Sequence, residues 1–84
     1  MTTSTKSVEI RYFALLREKR GLSSEICQTS AANASELFAE LNQLHSFSLP
    51  QDRLAVAIND EFCSWDKALE NNDKVVFIQP VAGG

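Results

Sequence analysis

The chain has 84 residues, enough for one compact domain and too few for two. Its apolar fraction is 44% and its charged fraction 23%, which fits a globular protein and excludes a disordered polyelectrolyte. A net charge of −3, with Arg17, Lys19 and Arg20 as the densest basic cluster and Glu18 interrupting it, argues against a nucleic-acid partner.

So small a core leaves little room for a deep catalytic pocket, which favours a carrier, adaptor or subunit over a self-contained enzyme. The two cysteines, Cys27 and Cys63, form no CxxC, and the single histidine, His45, is not at ligand spacing from either, so no metal site is expected. Packing is the simpler role for both thiols. Residues Met1 to Ser7 are polar and lack the apolar run of a secretory signal. No apolar stretch approaches membrane-spanning length. A cytoplasmic protein with no membrane partner is expected.

Residues 1–7 read as a flexible tail, and the folded domain is expected over 8–79. Val8, Ile10 and Tyr12 alternate with Glu9 and Arg11, the period of a strand with one buried face. Ala14 to Arg20 favours a short helix by propensity, and Gly21 is placed to stop it. Leu22 to Thr29 reads as a second strand with Ile26 facing inward. Asn33 opens the clearest helix. It stands three residues before Glu36, the spacing of a capping box. Ala34, Leu37, Phe38, Leu41 and Leu44 follow as one apolar stripe at helical period. Ser46 to Gln51 reads as a loop. Leu54, Val56 and Ile58 mark a third strand, and Asn59-Asp60-Glu61 turns the chain. Phe62 to Trp65 reads as a short strand, Lys67 to Asn72 as a polar loop or a helical turn, and Lys74 to Gln79 as the last strand. One long helix on one face of a mixed sheet is an α+β two-layer domain.

Two features stand outside this pattern. First, two of the three glycines are Gly83 and Gly84, just past the last strand and Pro80. The terminal carboxylate becomes an electrophile once AMP is attached, and can then accept sulfur or an amine. Glycine has no Cβ to clash in a narrow channel. Residues 80–84, extended, reach roughly 15 Å. Second, Phe13 points away from Val8, Ile10 and Tyr12, Val76 and Ile78 share the face opposite Val75 and Phe77, and Phe62, just past the turn, is placed to join Phe13 and Ile78. They form either an exposed docking patch or a second small core under the loops.

Tyr12-Phe13-Ala14-Leu15-Leu16-Arg17-Glu18 resembles the opening of the molybdopterin synthase small subunits, which are sulfur carriers. Val56-Ala57-Ile58-Asn59 and Asp73 to Gly84 resemble their close. The resemblance covers Val8 to Gly84, with Asn72 where the family often has glycine, a residue that also tolerates the left-handed region. Ile78 and Gln79 replace an aromatic and a proline.

The resemblance implies a β-grasp (ubiquitin-like) fold, a mixed sheet packed on one long helix. It implies that an ATP-dependent adenylating enzyme activates Gly84, that a sulfur relay converts it to a thiocarboxylate, and that Pro80, Val81, Ala82 and Gly83 thread into the partner. It further implies that Phe13, Phe62 and Ile78 contact the synthase large subunit in a heterotetramer, and that sulfur passes to a cyclic pyranopterin precursor in molybdenum cofactor biosynthesis. No cofactor of the chain's own is expected, the ATP being used by the activating enzyme. Other readings are a carrier for thiazole synthesis or tRNA thiolation, a ubiquitin-like modifier of lysines, and a thiol redox protein using Cys27 or Cys63.

Overall fold

Alternation in the first strand is obeyed to the residue: Val8, Ile10 and Tyr12 are buried, while Glu9 and Arg11 turn away from them. The computed structural model describes residues 5–47 and 50–79. Its elements are β1 (Lys6–Tyr12), α1 (Ala14–Arg20), β2 (Ser24–Thr29), α2 (Ala34–His45), a 3-10 turn (Gln51–Arg53), β3 (Ala55–Ile58), β4 (Glu61–Cys63) and β5 (Lys74–Ile78). β1 begins at Lys6, so Lys6 and Ser7 belong to the sheet, opposite Thr29 and Gln28, and not to a tail.

Among the described residues the strands form one sheet in the order β2-β1-β5-β3-β4. β1 and β5 run parallel at its centre, and every other pairing is antiparallel. Ala34, Leu37, Phe38 and Leu41 of α2 join Val8, Ile10, Tyr12, Val56, Ile58, Val75 and Phe77 of the sheet in one core. This is the mixed sheet and long helix of a β-grasp domain, with the short α1 added at the end of β1.

α2 is capped as its sequence predicts. The Asn33 side chain accepts the Glu36 amide at 2.9 Å. The return bond lands one residue early: the Glu36 carboxylate accepts the amide of Ala32, not Asn33. Gly21 adopts φ +81° and closes α1 by donating its amide to the Arg17 carbonyl at 2.8 Å. Asn72 holds φ +72°, so asparagine does supply the left-handed turn before β5.

Two inward assignments are corrected. Ile26 is 66% exposed. The register pairs it with Glu9, on the face away from α2, and the inward positions of β2 are Glu25, Cys27 and Thr29. Leu44 is 67% exposed. At 100° per residue His45 falls nearer the centre of the stripe, and its ring lies 5.6 Å from that of Phe47, taking the inward place in the last turn.

Two loop residues complete the core. Phe47 is fully buried, edge-on to Tyr12 at 5.9 Å and stacked on Phe38 at 6.5 Å. Leu69 is buried in the segment before β5. Trp65 stacks on Phe77 at 5.8 Å and meets Phe38 edge-on at 5.7 Å, closing the β4 end of the core.

Candidate functional site

The face of the sheet opposite α2 carries no second layer among the described residues, and its side chains follow from the register. Arg11 lies beside Val76, Val76 beside Ala57, and Ala57 beside Phe62, in one row across four strands. Ile78 pairs with Ala55 in the next row. Alanines at 55 and 57 leave the middle of this face low. The result is an open recess of about 260 Å³ lined by Phe13, Ala57, Phe62, Val76 and Ile78, with Arg11, Lys74 and Asp60 at its rim.

The structure therefore brings Phe13, Phe62 and Ile78 together, although they are far apart in sequence. Phe13 is 51% exposed and Phe62 72%, so they form a surface and not a second core. Ala57 and Val76, buried on this face yet outside the main core, complete the floor.

Each aromatic is held by a constrained turn. Phe13 caps α1 in extended conformation, and its carbonyl accepts the amides of Leu16 and Arg17 at 3.1 and 3.3 Å. The next residue, Ala14, takes φ +48°, a strained value for a residue with a Cβ. Phe62 follows a two-residue hairpin in which Asn59 and Asp60 have φ +54° and +73°. Both positive values match the twist of the flanking strands. Asn59 then ties this hairpin to β5: its side chain donates to Asp73 at 2.9 Å and accepts the Lys74 amide at 3.0 Å, while its own amide reaches the Lys74 carbonyl at 2.8 Å.

The rim is charged and internally paired. Arg11 bonds Glu9 at 2.9 Å, and Lys74 bonds Asp60 at 3.0 Å. Exposed ion pairs of this kind contribute little to stability. The Glu9–Arg11 pair separates Ile26 on β2 from the apolar floor, so Ile26 does not extend the recess.

Tyr12 and Phe77 are partners in the parallel central pair, so β1 and β5 end on the same side of the sheet. β5 thus leads out of the middle of the sheet beside Ile78, at the end where Phe13 stands. Pro80, Val81, Ala82, Gly83 and Gly84 lie outside the described residues.

The thiols do not join the recess. Burial and the nearby Glu40 and Glu25 carboxylates push the Cys27 thiol up, away from the reactive thiolate. Cys63 donates weakly to the Val56 carbonyl and packs on the core. Among the described residues no group of three or more His, Cys, Asp or Glu could hold a metal ion, and no helix is long and apolar enough to cross a membrane.

A family model described as the ThiS family matches residues 10–84. The molybdopterin synthase sulfur carrier subunit of Haemophilus influenzae is 29% identical over 80 residues, covering 92% of this chain and 99% of that one. A Pyrococcus furiosus protein named as a molybdopterin converting factor, subunit 1, superposes with TM-score 0.77 at 27% identity, over 90% of this chain and 99% of that one. A Helicobacter pylori structure, a complex of subunits 1 and 2 of molybdopterin-converting factor, matches with TM-score 0.63 at 26% identity, over 93% and 99% of the two chains. With a family match that runs through the sheet, the recess and the terminal glycines, the chain belongs to the ThiS family of sulfur carriers, as a homologue of the molybdopterin synthase small subunit.

Proposed function

We propose that this protein is the sulfur-donating subunit of a molybdopterin synthase and that Gly84 is its reacting end. The observation that carries the reading is the gathering of Phe13, Phe62 and Ile78 around one open recess, at the end of the sheet from which β5 leads towards the terminal glycines. The recess docks first on an ATP-dependent adenylating enzyme. There the Gly84 carboxylate attacks the α-phosphorus of ATP and pyrophosphate leaves. A sulfur nucleophile then displaces AMP, giving a thiocarboxylate. The same face next docks on the synthase large subunit, residues 80–84 enter its active site, and the sulfur passes to a cyclic pyranopterin precursor.

Three features support this reading. Apolar surface beside charged rim groups suits a face that binds and releases partners in turn. The related Helicobacter pylori protein is a complex of subunits 1 and 2, which supports a large-subunit partner here. Cys27 and Cys63 are free thiols, as expected of the reducing cytoplasm in which we place the protein.

The test is the intact mass of untagged protein from cells that also express the adenylating enzyme. A gain equal to exchange of one oxygen for sulfur, lost on deleting Gly84, is expected. The loaded protein, mixed with large subunit and precursor, should then form molybdopterin. Gly83→Trp should block transfer and leave the unfolding midpoint unchanged. An unchanged mass beside a competent activating enzyme refutes the carrier reading, and adducts on target lysines would assign the tail to protein modification instead.

A further inference from the structure

One carboxylate in this protein receives donors from both ends of the segment that carries Phe13. Tyr12, the residue before Phe13, donates its hydroxyl to Glu25 Oε2 at 2.5 Å. Arg20, the last residue of α1, reaches the same carboxylate with two donors, Nε to Oε2 at 2.8 Å and Nη2 to Oε1 at 2.7 Å. Glu25 thereby closes residues 12–20 into a loop pinned on β2. His45 of α2 is the further titratable side chain close enough to act on it.

The segment needs such a pin. α1 has seven residues, too short to persist on its own. Its N-terminus has no side-chain cap and no acidic residue in the first turn, and Leu16 is its one buried side chain. Ala14 sits at φ +48°, a conformation the chain leaves when nothing holds it. Phe13 lies between this strained residue and the anchored Tyr12. Where Phe13 points is therefore set by what fixes α1.

We propose that Glu25 and Arg20 are positioning residues for docking, acting through Phe13. Neither lines the recess. They hold α1 against the edge of the sheet, and α1 holds the Phe13 ring over the recess. The inference rests on the docking reading given above. The fork matters: a guanidinium binds a carboxylate with two parallel bonds and fixes an angle, which a lysine does not.

The test uses the full chain and the purified large subunit, with Arg20→Met, Arg20→Lys, Phe13→Ala and the Arg20→Met/Phe13→Ala double variant. Hydrogen exchange is read first at Leu16 and Arg17, whose amides bond the Phe13 carbonyl. In Arg20→Met these amides should exchange about tenfold faster, the worth of a charge-assisted bond, while those of Ile10 and Val76, which open only with the whole fold, accelerate by no more than that and stay the better protected. Arg20→Met should weaken docking by about tenfold, Arg20→Lys by less, and the double variant no more than Phe13→Ala alone. Wild-type exchange at Leu16 and Arg17 overturns the proposal. So do affinity losses that multiply in the double variant, which would make the two residues independent. A wild-type protein that fails to bind the large subunit refutes the docking reading, while the exchange rates still judge the pin.

Discussion

Replacing Phe62 with alanine separates the core that folds this protein from the face proposed to dock it. A phenylalanine buries roughly 150–250 Å² when fully covered. Phe62 is 72% exposed, so folding covers little more than a quarter of its surface, about 40–70 Å². At about 25 cal/mol per Å² that is about 1–2 kcal/mol, an upper bound because the unfolded chain is itself partly collapsed. Phe77→Ala is the reference. That ring is fully buried between Phe38 and Trp65, and its loss should cost about 3–5 kcal/mol. The ranking reverses for docking, where the exposed part of Phe62 becomes the buried part. An aromatic at the centre of an interface is commonly worth about 2 kcal/mol or more, so Phe62→Ala should weaken large-subunit binding about thirtyfold. Stability is read by urea unfolding with the fluorescence of Trp65, the one tryptophan of the chain, and affinity by titration calorimetry. A stability loss above about 2 kcal/mol, or an unchanged affinity, would refute the assignment of this face to docking.

Gly21→Ala tests the end of α1: an added Cβ meets nothing within 4 Å, so the cost is the left-handed strain at φ +81°, about 1–2 kcal/mol and a drop in Tm of several degrees. Asp73→Ala should cost about 1–3 kcal/mol in chemical denaturation, because it leaves the Glu70 amide and the Asn59 side chain without their acceptor in the hairpin clamp. The Arg20 fork, with the Tyr12 hydroxyl in support, holds the Glu25 carboxyl below its usual range against a smaller opposing effect of burial. Its contribution is therefore complete above the unfolded value of about 4.3 and is lost as pH falls through the lower folded one. The stability gap between wild type and Glu25→Gln, followed by urea titration at stepped pH, should close on acidification, and a gap independent of pH would contradict the ion pair. Burial first, and then the bond to Glu25, raise the Tyr12 phenol far above its usual range, and Tyr12 is the single tyrosine. Phenolate absorbance should stay absent near pH 10 and emerge only with unfolding, since above that pH the unfolded chain alone loses the proton.

β1, β3 and α2 were legible because their periods are clean, and α1 because good helix formers run up to Gly21. Val8, Ile10 and Tyr12 announce a half-buried strand, and Asn33 with Glu36 announces a capped helix. The residues proposed to dock were legible for the converse reason: Phe13 and Ile78 break the phase of their strands, and Phe62 follows directly on a turn. β2 was misread because its inward positions are polar. Glu25 and Thr29 face inward only because Arg20, Tyr12 and Glu40 satisfy them, and partners so distant leave no local trace. Ile26, the apolar residue of that strand, was free to turn outward. Phe47 looked like loop because it has no periodic neighbours; tertiary contact with Tyr12 and Phe38 buries it. Alternation alone sets Val76 on the face of Ile78, but that Ala57 and Phe62 lie beside it follows from register, which no single strand discloses.

The parallel pairing of β1 with β5 has a consequence for biosynthesis. β5 comes last among the strands in sequence yet lies in the middle of the sheet, between β1 and β3. Until it arrives, the β1–β2 and β3–β4 pairs share no sheet hydrogen bonds, and only their packing on α2 joins them. Closing so long a stretch of chain is entropically demanding, so folding waits for the final strand. A polypeptide arrested on the ribosome before residue 74 would lack Val76 and Ile78, two of the five apolar residues that line the recess. The surface proposed for docking is thus completed by the same strand that precedes the glycine proposed to react, and a chain that stops short of that strand has neither.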